Sequence, residues 1–196
     1  WPYGLPELPG ARDALEGAKR IAVPGCYPTA STAALLPAVA GGLVDPTQIS
    51  IVAASGTSGA GKAAKPHLIG SEVMGSMSPY GVGGGHRHTP EITQNLSSVT
   101  ESEVSVSFTP LLAPMPRGIL ATCSAPIVGD VSTAIARATY EAFYADEPFV
   151  DLLPEGSWPQ TAAVVGSNRA TVQVVAFLAA HRLIAIIANK NLTKVT

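Results

Sequence analysis

The sequence predicts an α+β fold, a mixed and largely antiparallel sheet covered on one face by helices. Three observations lead there. Amphipathic helical stretches and short apolar strands are intermixed along the chain. Glu103 to Phe108 sets Val104, Val106 and Phe108 against Ser105, Ser107 and Thr109, the two-residue period of a strand buried on one face of an antiparallel sheet. The composition, 196 residues with 46% apolar side chains, supplies enough core for one domain without a disulfide scaffold.

Charge and cysteine usage narrow the function classes. Only 13% of the residues are charged, against about 25% in ordinary globular chains, so the surface is expected to pack against another subunit or domain. Twelve Lys and Arg against 14 Asp and Glu provide no basic stripe for nucleic acid or an anionic membrane. Cys26 and Cys123 stand far apart, with no CxxC and no metal-ligand spacing, which favours a reducing, cytoplasmic setting. The longest apolar stretch, Val174 to Ala188, is interrupted by His181 and Arg182 and is too short for a bilayer. The start at Trp1-Pro2-Tyr3, without a Met, and the stop at Thr196 soon after an apolar run suggest part of a longer chain.

Each element has a local signal. Residues up to Lys19 read as a loop with a short helix, and Arg20 to Val23 as a short strand halted by Pro24-Gly25. A helix follows over Cys26 to Ala40, with Pro28 tolerated in the first turn and Pro37 expected to kink or end it. Ile49 to Ala54 is a strand running into the glycine-rich turn Ser55 to Lys62, and Ala63 to Gly85 reads as irregular. Thr89-Pro90-Glu91 predicts a helix with Thr89 as its N-cap and Ile92, Leu96 and Val99 on one face. Arg117 to Ile127 is expected beside the 103–108 strand. A helix over Asp130 to Tyr144 is expected to bury Val131, Ile135, Ala138 and Ala142. Strands are predicted at Ala162–Val165, Thr171–Val175 and Leu183–Ala188.

Val23-Pro24-Gly25-Cys26-Tyr27-Pro28-Thr29 is the sharpest chemical signal: a strand end, a Pro-Gly turn, and a cysteine at a helix start. Free N–H groups and the positive helix end there lower a thiol's pKa and can hold the oxyanion formed by thiolate attack on a carbonyl. The alternative for Cys26 is a small packed side chain, which is also the reading for Cys123 inside a strand pattern. His86-Arg87-His88-Thr89-Pro90-Glu91 offers a base just before a helix, whose N-terminus favours the neutral imidazole. A metal would need a third ligand beside the two histidines, and only Glu91 is near in sequence, so none is expected. Ser55 to Lys62 scans as GxxxxGK from Gly56, but Ala63 stands where a Ser or Thr would hold magnesium; a backbone nest for an anion or a plain tight turn remain. Arg117, at the start of a strand, reads as a fork for a carboxylate or phosphate or as a solvated loop residue.

Taken in order, VPGCYPT (Val23 to Thr29), SGTSGAGK (Ser55 to Lys62), HRHTPEI (His86 to Ile92), SFTPLLAPMPRGILATC (Ser107 to Cys123) and GSN (Gly166 to Asn168) resemble the N-acetyl-gamma-glutamyl-phosphate reductases of arginine biosynthesis. The likeness is to the actinobacterial form, within the semialdehyde dehydrogenase superfamily, and YGLPELPG (Tyr3 to Gly10) extends it over nearly the whole chain. It implies that Cys26 attacks an acyl phosphate to leave a thioester that NADPH then reduces, with His86 or His88 as acid/base. Arg117, Arg87, Glu91 and Tyr80 are then the substrate contacts, and Ser58, Gly59, Asn168 and Asn191 the residues on the nicotinamide side. The implied partners are a small acyl phosphate and a second copy docked through the sheet, with NADP(H) bound mainly by a dinucleotide domain.

Departures from the family accompany the likeness. No GxGxxG follows an opening strand, so residues 1–196 are expected to be the catalytic and dimerisation domain, separated from its Rossmann half and a C-terminal helix, and inactive alone. Lys190 and Val195 replace an expected Asp and Gly, and the Val175 to Ala179 hairpin tip is apolar where the family has an acidic turn, as in an altered or engineered segment. A non-catalytic dimerisation module and a cysteine hydrolase using Cys26 and His86 are the readings from other classes.

Overall fold

Pro24 and Gly25 turn the chain into its longest helix, and the remaining elements are arranged around that helix. The computed structural model describes residues 1–61, 63 and 65–190. In chain order the elements are α1 (Ala11–Leu15), α2 (Cys26–Ala40), β1 (Ile49–Ser55), α3 (Gly70–Val73), β2 (Ser78–Pro79), α4 (Thr89–Ser97), β3 (Val106–Leu112), β4 (Ile119–Pro126), α5 (Thr133–Phe143), β5 (Val150–Leu152), β6 (Ala170–Phe177) and β7 (Arg182–Asn189).

The strands form one sheet in the order β2-β3-β1-β4-β7-β6-β5. β1 pairs parallel with β3 and β5 with β6; the other four pairings are antiparallel. The mixed, largely antiparallel sheet is therefore as expected. Alternate residues of β1 and β4 (Ile49, Ile51 and Ala53; Ile119, Ala121, Cys123 and Ala125) are buried, whereas Ser50, Val52 and Thr122 are exposed. α2, α4 and α5 cover the buried face.

α2 has the predicted bounds, but Pro37 does not end it. Proline lacks the N–H that would bond the carbonyl four residues back. That carbonyl, of Ala33, instead accepts the hydroxyl of Tyr144 at 2.5 Å, and Tyr140 donates to the next one, Ala34, at 2.6 Å. Two tyrosines from α5 and its end thus satisfy the buried backbone of α2 beside the proline.

The same contacts correct the expected face of α5. Ala136 and Tyr140 are buried, while Ile135 (47% exposed), Ala138 and Ala142 border a shallow outer groove with Pro37 and Ala40. Hydropathy favours the aliphatic stripe; hydrogen bonds to α2 decide for the tyrosine stripe.

Other expectations are also corrected. Arg20 to Val23 forms only a one-residue bridge, Ala22 to Tyr3, leaving Ile21 and Val23 exposed. Its partner contains Pro2 and Pro6, which have no N–H for a ladder. His88, not Thr89, occupies the N-cap of α4. β3 begins at Val106, runs past Phe108 to Leu112, and lies parallel to β1; β1 separates it from β4, its expected neighbour. Residues 161–164 form a 3-10 turn rather than a strand, and the short β2 and β5 had no signal in the pattern. Ala63 to Gly85, expected to be irregular, holds α3 and β2. At the hairpin tip Phe177 and Leu178 are 51% and 65% exposed, and nothing in the structure explains their apolar character.

Candidate active site

Cys26 is the first residue of α2, half-buried, with Gly25 in extended backbone as the N-cap. Its thiol faces the backbone N–H groups of Cys26 and Tyr27. The expected lowering of the thiol pKa does not result: burial pushes it up, outweighing those N–H groups and nearby Arg87, while Glu91 adds to the rise. Cys123 lies wholly in the core, and burial pushes its thiol far up.

The segment before α4 closes over this turn. His88 is buried with its ring against Gly25, where an added Cβ would lie 2.6 Å from Nε2. His86 lies 4.8 Å from His88 between ring centroids and packs edge-on against Tyr27, Tyr80 and Phe108. The backbone N–H of His88 donates to His86 Nδ1 at 3.1 Å, which assigns the proton of the neutral ring to Nε2. Burial, and then Arg87, lower the His86 pKa. The neutral form expected from the sequence is favoured, but by desolvation and a neighbouring cation.

Glu91, on the first turn of α4, accepts the Gly25 N–H at 2.8 Å and the Tyr3 hydroxyl at 2.7 Å, both on Oε1. The hydroxyls of Tyr27 and Tyr80 share a 2.7 Å hydrogen bond, and Tyr27 also donates to the Leu111 carbonyl at 3.2 Å. Ser55, at the end of β1, bonds Tyr27 as well. Cys26, Tyr80, His86, Arg87, His88 and Glu91 are thus brought together from the starts of α2 and α4 and the loop between β2 and α4, although 65 positions separate Cys26 from Glu91.

Other predicted residues lie on other loops. Arg117 is exposed on a loop stitched to Gly56–Ser58 through Gly56 N to Gly118 O, Thr57 N to Met115 O and Ser58 N to Pro116 O. Gly56 has no room for a side chain: a Cβ would lie 2.7 Å from the Arg117 nitrogen. Beside this loop is a cavity of about 310 Å³ lined by Thr57, Ser58, Gly61, Lys65, Leu68 and Pro116 among others. Ser58 lines it and Gly59 is exposed next to it. Asn168 is exposed on the loop before β6, and Asn191, Lys62 and Val195 lie outside the described residues. Among the described residues no cluster of His, Cys, Asp and Glu is arranged to hold a metal, and no helix is long and apolar enough to cross a membrane.

Tyr27, Ser55, Phe108, Tyr3 and Asn95 were missed by sequence reasoning. Tyr27 had a signal in its adjacency to Cys26; the others meet the site only through the fold.

The sheet and its covering helices, with a cysteine starting one of those helices, define a semialdehyde dehydrogenase-type domain. Residues 26–191 match the family model "Semialdehyde dehydrogenase, dimerisation domain", and the chain belongs to that family. The full chain is 69% identical to the N-acetyl-gamma-glutamyl-phosphate reductase of Streptomyces coelicolor and 65% identical to that of Thermobifida fusca, spanning 57% of the length of each. Among solved structures, aspartate semialdehyde dehydrogenase II from Vibrio cholerae superposes with a TM-score of 0.72 over 97% of this chain and 63% of that one. At 15% identity this likeness concerns the fold alone.

Proposed function

We propose that this chain is the catalytic and dimerisation part of an NADPH-dependent reductase. It converts N-acetyl-gamma-glutamyl phosphate to N-acetylglutamate semialdehyde in arginine biosynthesis. The carrying observation is Cys26 at the start of α2, enclosed by His86, His88, Arg87 and Glu91, in a chain 69% identical along its whole length to a reductase of that name.

The Cys26 sulfur attacks the acyl carbonyl, the C–O bond to phosphate breaks, and an acyl thioester remains. The thiol proton leaves by way of the His88 imidazole and ends on the departing phosphate. The Cys26 and Tyr27 N–H groups at the helix start stabilise the tetrahedral oxyanion. His86, with its Nδ1 occupied, offers Nε2–H to the same oxygen. Arg87 and Arg117 supply charge for the substrate's phosphate and carboxylate. Tyr80, joined to Tyr27, walls the acyl chain, and Glu91 fixes the turn that carries Cys26.

The cavity beside Ser58 fits a nicotinamide ring: Leu68, Ile69 and Pro116 give apolar walls, Thr57 and Ser58 give hydroxyls, and Lys65 lies at its edge. NADPH held there would supply hydride for reduction at Cys26. Asn168 and Asn191 are assigned to the same side through the family likeness. Reduction of the Cys26 thioester would release the aldehyde and return Cys26 to the thiol.

The assembly is a homo-oligomer formed through the open face of the sheet. Val52, Thr122 and Ile186 lie in one row across β1, β4 and β7 on that face. A cytoplasmic setting follows from such a biosynthetic role. The test is phosphate-dependent reduction of NADP⁺ by N-acetylglutamate semialdehyde, with the chain joined to a dinucleotide domain. Cys26→Ser should abolish it and Cys123→Ala preserve it; activity in Cys26→Ser would refute the assignment.

A further inference from the structure

Gly25 lies immediately before Cys26, and its N–H is held by a side chain that is itself held. Glu91 Oε1 accepts from both Gly25 N–H and the Tyr3 hydroxyl. Tyr3 in turn accepts from Asn95 Nδ2 at 3.0 Å, and the same amide donates to Thr32 Oγ1 at 3.1 Å. Asn95 and Thr32 are buried on α4 and α2. The chain Thr32–Asn95–Tyr3–Glu91–Gly25 therefore runs from the middle of α2, through α4 and the N-terminal segment, back to the residue that caps α2.

Backbone bonds fix Tyr3 independently of its hydroxyl. Gly4 N donates to Ala22 O at 2.8 Å and Ala22 N to Pro2 O at 2.9 Å, tying residues 2–4 to the strand-like segment that leads into Pro24-Gly25. The hydroxyl is thus free to serve a purpose other than anchoring the segment. Glu91 without it would keep one donor, and its carboxylate could swing away from the Gly25 N–H.

We infer that Tyr3 is a positioning residue for Cys26: its hydroxyl holds the Glu91 carboxylate on the Gly25 N–H, and so fixes the angle at which the start of α2 presents its N–H groups to the sulfur. The inference rests on the reading of Cys26 as the nucleophile. The charged and titratable groups facing that sulfur are Arg87, Glu91, Tyr27 and Tyr80, with the His86 and His88 rings alongside. None of them is removed by Tyr3→Phe, which deletes one oxygen and keeps the ring.

The test is the pH dependence of Cys26 carboxymethylation by iodoacetate, resolved from Cys123 by peptide mass spectrometry, in four proteins: the parent, Tyr3→Phe, Glu91→Ala and the double variant. Loosening the helix start weakens the N–H contacts to the sulfur, so Tyr3→Phe should move the midpoint up, with about three- to tenfold slower labelling at fixed pH below it. In the Glu91→Ala background, where the link is already cut, Tyr3→Phe should add nothing. An unmoved midpoint in the single variant, or the same movement in both backgrounds, overturns the inference. A parent Cys26 that labels no faster than Cys123 would instead overturn the nucleophile reading itself.

Discussion

Gly25 and His88 touch so closely that no side chain fits between them: a Cβ on Gly25 would lie 2.6 Å from Nε2 and 2.9 Å from Cδ2 of the imidazole. The Gly25 backbone is extended, a conformation open to any residue, so the demand for glycine is steric. Gly25→Ala should therefore displace the His88 ring and cost about 1–3 kcal/mol, as overpacking does. The cost should shrink in a His88→Ala background. Thermal unfolding of the two single variants and the double variant measures this coupling.

Tyr144 and Pro37 form a second coupled pair. The Tyr144 hydroxyl meets the Ala33 carbonyl that Pro37 cannot serve. Tyr144→Phe leaves that buried carbonyl without this donor and should destabilise by about 1–3 kcal/mol. Replacing Pro37 by alanine restores an N–H four residues on, so Tyr144→Phe should cost less in Pro37→Ala. Denaturant unfolding of the four proteins decides; equal costs would mean that the tyrosine does not compensate for the proline.

The thiol and imidazole pKa shifts give signed pH behaviour. Cys26 is pushed above the ordinary cysteine value, so its thiolate population and labelling rate should still be rising above the usual midpoint of about pH 8.5. Arg87 opposes that rise and Glu91 adds to it. Arg87→Ala should move the midpoint further up and Glu91→Gln should move it down. His86 is shifted down, so it becomes charged only below the ordinary histidine range. Activity that needs neutral His86 should then persist to lower pH than an exposed histidine would allow, and a rate–pH profile reads this limb.

Val52 is 47% exposed in the open row Val52–Thr122–Ile186. A carboxylate there would be buried without a partner in a sheet-to-sheet oligomer. Val52→Asp should shift the protein to a smaller species by light scattering while leaving the fold intact by circular dichroism. An unchanged mass would place the subunit contact elsewhere.

The bounds of α2 were legible because Pro-Gly before it, a proline in the first turn and the run Ala33-Ala34-Leu35-Leu36 agree. Cys26, His86, Arg87, His88 and Glu91 could be selected because each stands at a helix start. The parallel pairing of β1 with β3 was not legible: about fifty residues of crossover separate the strands, and an alternating pattern does not encode the direction of its partner. The burial of Tyr140 and Tyr144 was hidden for a related reason, since their hydroxyls find carbonyls on a helix more than 100 residues away. Tyr3 and Glu91 are separated by 88 positions, and only the fold brings them to 2.7 Å. The pKa direction of Cys26 failed because a helix start favours the thiolate whereas burial opposes it, and depth of burial is not written in a local motif.

The most direct measurement is a mass-spectrometric search for an acyl thioester. The protein is mixed with N-acetyl-gamma-glutamyl phosphate in the absence of reduced nicotinamide, quenched in acid and digested. The account predicts an N-acetylglutamyl adduct on the Cys26 peptide, absent from Cys123 and lost in Cys26→Ser. Phosphate release without an adduct at Cys26, or an adduct that persists in Cys26→Ser, would contradict it.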